Sequence, residues 1–173
     1  MYRKGYFFTL DAMMSLGILI IGSFLIFTSY ASVPSRVQTA ILAEDVMDFL
    51  SSTKIRDLNN PYAGIGGLLW QQGNITNADN TLLQQAGEFY YRNELGLAEK
   101  FIVNVTNELV PKPYKFEFWI DEYRIYPSSP SQEHVSSKNT TKILLPSKKL
   151  TYGILNKGMD LFGPYKSEVL VWE

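Results

Sequence analysis

An acid stands at the mouth of an apolar run. In RKGYFFTLDA, Asp11 precedes 19 residues without a charge, AMMSLGILIIGSFLIFTSY, residues 12–30. A carboxylate deep in hydrocarbon costs on the order of 2.5–3.5 kcal/mol on insertion scales, so Asp11 calls for a shallow position or a cationic partner. A plainer role is open as well, because Thr9 and Asp11 are side chains that accept the free N–H groups of a helix's first turn. Elsewhere, residues able to do chemistry are sparse. Glu117, Asp121 and Glu122 cluster around a strand end, where alternation with aromatics reads as a solvated strand face. An acid–base pair would need two carboxylates with separated pKa values. His134 is the one histidine, set in a Ser/Pro-rich stretch. Without a partner to orient it as a base, it reads as solvent-exposed. Gly64-Ile65-Gly66-Gly67 lacks the Lys-Ser/Thr end of a phosphate loop and reads as a turn. With no cysteine, disulfides, thiolate metal sites and a Cys nucleophile are excluded. The expectation is a protein that is not an enzyme and carries no cofactor or metal.

The chain has 173 residues, enough for one domain plus an appendage, and a formal charge of -1. That balance excludes the basic footprint of a nucleic-acid binder. The apolar residues are concentrated in the first thirty positions. At 1.5 Å per residue the uncharged run makes about 28 Å of helix, close to the thickness of a bilayer core. Arg3 and Lys4 precede it, and no basic residue follows until Arg36. Cations stay on the cytoplasmic side, so the N-terminus is expected there and the remainder outside. Gly17, Gly22, Ser15 and Ser23 provide small surfaces for close helix approach.

Beyond Pro34, expected to break or kink the helix, Val37, Ile41, Leu42, Val46, Phe49 and Leu50 recur at helical spacing. Ser35 is placed as the N-cap and Asn59-Asn60-Pro61 as the stop. A helix is expected over 81–95, interrupted by Gly96, then resuming through Leu109 until Pro111-Lys112-Pro113. The period then changes to two. Tyr114, Phe116, Phe118 and Ile120 alternate with Lys115, Glu117, Trp119 and Asp121, a half-buried strand, and EYRIYP completes a hairpin. PSSPSQEHVSSKN shows no period and reads as an exposed loop. SKKLTYGILN and YKSEVLVWE form a last hairpin. The fold class expected is α+β. A long N-terminal transmembrane helix continues into an amphipathic helix, followed by further helices and an antiparallel sheet of about four strands.

The opening residues resemble those of type IV pilin-like proteins, which carry a short class III signal peptide. The likeness lies in Lys4-Gly5-Tyr6 followed by Phe8-Thr9-Leu10-Asp11 at the start of an apolar helix, about 25 residues in all. The FTLDA run is similar to that of archaeal pilin-like membrane proteins, and the closing FGPYKSEVLVW resembles their C-terminal strands. This resemblance implies cleavage by a prepilin peptidase after Gly5, with Lys4, Gly5 and Tyr6 as the processing site. It also implies an assembly role for Asp11, neutralising the freed amine of a neighbouring subunit. Asp11 would be the sixth mature residue, whereas the familiar bacterial pattern has a Glu at the fifth.

On that reading the chain divides into a leader, 1–5, a transmembrane helix, 6–33, and an extracellular pilin-like globular domain, 34–173. Its partners would be membrane lipid, prepilin peptidase, other pilin-like subunits and their assembly platform. It would be a structural subunit of a pilus-like filament or pseudopilus, in the cell membrane and in a surface filament. The alternative is an uncleaved single-pass envelope protein with an extracytoplasmic binding domain. A third possibility is a secretory signal cut after Ser29-Tyr30-Ala31. Three glycosylation sequons begin at Asn74, Asn104 and Asn139. Asn139 is expected in a loop and Asn104 in a helix, beside its apolar stripe.

Overall fold

The computed structural model describes residues 3–31, 35–141, 144, 146–155 and 160–173, with side chains in the first helix from Leu10 to Thr28 and in the remainder from Gln38 onward. The chain forms two compact units, Met1–Val37 and Gln38–Glu173. In the first, helix α1 runs Arg3–Ala31. Leu10–Thr28 has a mean hydropathy of 2.1 and none of it is buried. Leu, Ile and Phe emerge on all sides rather than on one stripe, which is the pattern of a helix surrounded by an apolar medium. The Thr28 hydroxyl donates to the Phe24 and Leu25 carbonyls at 2.9 and 3.0 Å, so it needs no water. The helix already begins at Arg3, about two turns before Asp11. Asp11 therefore sits within the helix, and the expectation that Thr9 or Asp11 caps its first turn is corrected. The expected break at Pro34 lies outside the described residues.

Helix α2 spans Ser35–Ser52, and the part in the second unit, from Gln38, buries Ala43, Val46, Met47 and Leu50, one stripe at 3–4 residue spacing. Ile41, expected on that face, is 51% exposed, and Ala43 and Met47 take its place. The helix also stops seven residues before Asn59. Lys54 forms an antiparallel bridge with Thr81, and Leu82 N–H donates to the Thr53 carbonyl at 3.0 Å. Pairing with a distant segment thus draws the backbone out of the helix before the local stop signal is reached. A 3-10 turn, Ile55–Asp57, and the short α3, Leu68–Gln71, follow.

Helix α4, Leu82–Tyr91, starts with a capping box between Thr81 and Gln84. Helix α5, Leu95–Thr106, runs through Gly96. The break falls at Asn93 instead, whose φ of 60° is a left-handed value that Asn accepts readily. Helix α5 also ends before Pro111, at Thr106. Strands β1 (Lys115–Ile120), β2 (Tyr123–Tyr126), β3 (Ser147–Leu155) and β4 (Asp160–Trp172) form an antiparallel sheet in the order β2-β1-β4-β3. Phe116, Phe118 and Ile120 of β1, with Val169 and Val171 of β4, enter the core formed with α2, α4 and α5.

Lys115, Glu117 and Trp119 point to the opposite face of β1. That face is not solvated at its centre, because residues 132–140 form a helix, α6 (Gln132–Thr140). The loop expected there is corrected. The Ser131 hydroxyl accepts from His134 N–H at 3.1 Å, Glu133 lies in the first turn and Lys138 in the last, matching both ends of the helix dipole. Helix α6 buries no residue completely, so it carries no apolar stripe that periodicity could reveal.

Candidate functional site

Glu117 stands in the middle of β1 with its side chain 1% exposed. A buried carboxylate is costly unless its oxygens are satisfied. Trp119, two residues along the same face, donates its indole N–H to Oε2 at 2.9 Å. Lys138 of α6 donates its ammonium to the same oxygen. His134 Nε2 lies 3.3 Å from Oε1, and the Arg124 guanidinium of β2 lies 3.8 Å from it. Register explains the assembly. Trp119 pairs with Arg124, and Lys115 with Trp172, so five side chains from three strands share one face.

Two indoles wall this cluster. The Lys138 ammonium lies 5.5 Å from the Trp119 ring centroid and 5.7 Å from that of Trp172, within cation–π range. Arg124 lies over the Trp119 ring at 5.6 Å. Trp172 is fully buried, donates its N–H to the Ser137 hydroxyl at 3.0 Å, and meets the His134 ring edge-on at 4.7 Å. A further pair, Lys115–Glu133 at 2.8 Å, ties β1 to the first turn of α6 and holds the Glu133 carboxyl below its usual range. Burial pushes the His134 imidazole below its ordinary value, partly opposed by the charge of Glu117 and its hydrogen bond.

Beside the cluster a groove of about 380 Å³ opens, bounded by Lys112, Tyr114, Lys115, Tyr126, Glu133 and His134. Val103 and Val110 of the segment leading to β1 add aliphatic surface to this polar and aromatic lining. A second buried carboxylate, Glu88 on α4, contacts Arg92 at 2.5 Å and Asn80 at 3.0 Å. Burial raises its pKa, with Arg92 and Asn80 opposing the shift. Among the described residues no group of His, Asp and Glu is placed to hold a metal ion.

Of the residues singled out in sequence, the structure brings Glu117 and His134 together. Asp11 is exposed on α1, and the backbone of Lys4, Gly5 and Tyr6 belongs to the same helix, though their side chains lie outside those described. Asn74 is half-buried, and its amide donates to Gln72 at 3.1 Å. Asn104 is exposed on α5, its amide bound to the Lys100 carbonyl at 2.8 Å. Asn139 is exposed in the last turn of α6, so its expected loop setting is corrected. His134, expected in solvent, has a side chain only 13% exposed. Glu117, expected on a solvated face, is the centre of the cluster. The strand period did place Lys115, Glu117 and Trp119 on one face. Nothing in sequence joined them to Lys138, 21 residues on. Comparison with protein-family profiles, curated proteins and solved structures finds no match.

Proposed function

We propose that the chain is a structural subunit of a type IV pilus-like filament or pseudopilus, anchored and assembled through its apolar N-terminal helix. The observation that carries this reading is Leu10–Thr28, apolar on every side and unburied throughout. Such a surface needs a bilayer or neighbouring helices of the same kind around it. Asp11, at the edge of the span, adds a charge that an anchor does not require and that a neighbour's freed amine would neutralise. In this reading prepilin peptidase removes residues 1–5, the Gln38–Glu173 unit lies outside the cell, and other subunits and an assembly platform are its partners.

A second reading, an uncleaved single-pass envelope protein with an extracytoplasmic binding domain, is favoured by the groove beside Lys112 and His134. Intact-mass analysis of protein from native membranes separates the two. A mature N-terminus at Tyr6 is expected for the subunit. Met1 would favour the single-pass receptor, and Ser32 would mark a secretory signal.

A further inference from the structure

Lys138 occupies a place with the chemistry of a ligand site. One carboxylate oxygen of Glu117 and two indole rings surround the position of its ammonium, and the Trp119 N–H donates to that same oxygen. Indole faces attract cations through their quadrupole, and a buried carboxylate adds a directional, charge-assisted hydrogen bond. The groups that hold the ammonium come from the sheet, Glu117 and Trp119 from β1 and Trp172 from β4, while Arg124 of β2 and His134 of α6 lie on the other carboxylate oxygen. Lys138 arrives on α6, which buries no residue of its own.

The attachments of α6 to the sheet are polar or ring-edge contacts: Lys115–Glu133, His134–Glu117, Ser137–Trp172, His134–Trp172 and Lys138 itself. Because α6 buries none of its own residues completely, it is expected to open more readily than the core helices α4 and α5, which bury Leu82, Leu83, Phe89, Phe101 and Ile102. We infer that the Glu117–Trp119–Trp172 pocket is a binding site for a primary alkylammonium, and that Lys138 is its intramolecular occupant, displaced when α6 lifts. The cation is delivered either by a free alkylamine or by a lysyl side chain of another protein; the chemistry recognised is the same. Arg124 of β2 remains on the opposite carboxylate oxygen, whereas His134 leaves with α6, so the site keeps room for one further cation.

The test uses the full chain in detergent micelles, with Lys138→Ala to empty the position and n-butylammonium as the probe. Titration followed by tryptophan fluorescence should show binding about tenfold tighter in Lys138→Ala than in the wild type, where Lys138 competes. The amine should also raise the Tm of Lys138→Ala, which keeps the measurement informative if that variant is weakly folded. Neutral n-butanol at the same concentration should do neither, and Glu117→Gln combined with Lys138→Ala should abolish both effects. Nα-acetyl-lysine methylamide separates the sources: tighter binding than n-butylammonium assigns the site to a lysyl side chain, weaker binding to a free amine. Equal affinity in wild type and Lys138→Ala, an equal response to n-butanol, or a response that survives Glu117→Gln would each overturn the inference.

Discussion

His134 shows how one side chain changes meaning between sequence and structure. In sequence it has no partner; in the structure it faces Glu117 and Lys115 of β1, Arg124 of β2 and Trp172 of β4. Burial lowers its pKa from 6.5. Below pH 6.5, therefore, the unfolded chain binds a proton that the folded chain resists, and stability falls as the pH drops through that window. Above it the imidazole is neutral in both states and this contribution is constant. Chemical denaturation from pH 8 to pH 5 should show a downward slope that is smaller in His134→Gln. An identical slope in the variant would assign the acid sensitivity to other groups, such as the carboxylates.

At the scale of elements, α4 and the β3–β4 hairpin meet where Gly87 leaves no room for a side chain. A Cβ there would lie 2.6 Å from Thr151 Cγ2 and 3.0 Å from Phe162 Cε2. Thr151 cannot easily rotate away, because its hydroxyl and that of Ser167 share a 2.6 Å hydrogen bond inside the sheet. Alanine gains about 1 kcal/mol over glycine in a helix, whereas overpacking costs about 1–3 kcal/mol, so the clash wins. Gly87→Ala should lower stability in urea denaturation. Adding Thr151→Ser, which keeps the hydroxyl and removes the methyl, should recover most of the loss. A more stable Gly87→Ala protein would show that the hairpin yields at this contact.

For the whole molecule, the proposed filament reading turns on the unburied apolar span and on Asp11 beside it. Removing the Asp11 charge lowers the cost of entering lipid, so a plain anchor predicts that Asp11→Ala inserts as well as the wild type or slightly better. In a filament, a subunit lacking Asp11 leaves its neighbour's amine without a counter-charge in an apolar setting, where the lost attraction is large. Asp11→Ala should therefore insert and lose its leader, yet fail to cross-link to neighbours and fall in a sheared extracellular fraction. Equal assembly of the two proteins would remove the electrostatic argument for a filament.

Much of this architecture was legible in sequence because it rests on local pattern. A run of uncharged residues long enough to cross a bilayer identifies itself in α1. The period of two in Phe116, Phe118 and Ile120 identified β1, and the helix expected from residue 81 matches α4, which starts at Leu82. Tertiary structure decided what depends on distant partners. The end of α2 is set by the Lys54–Thr81 bridge rather than by Asn59. Helix α6 has no apolar stripe, so no hydrophobic period announced it, and it gains its place from ion pairs and hydrogen bonds to the sheet. The burial of Glu117 follows from that placement. A strand's alternation tells which residues share a face, but whether that face meets water or another helix is settled only when the rest of the chain folds over it.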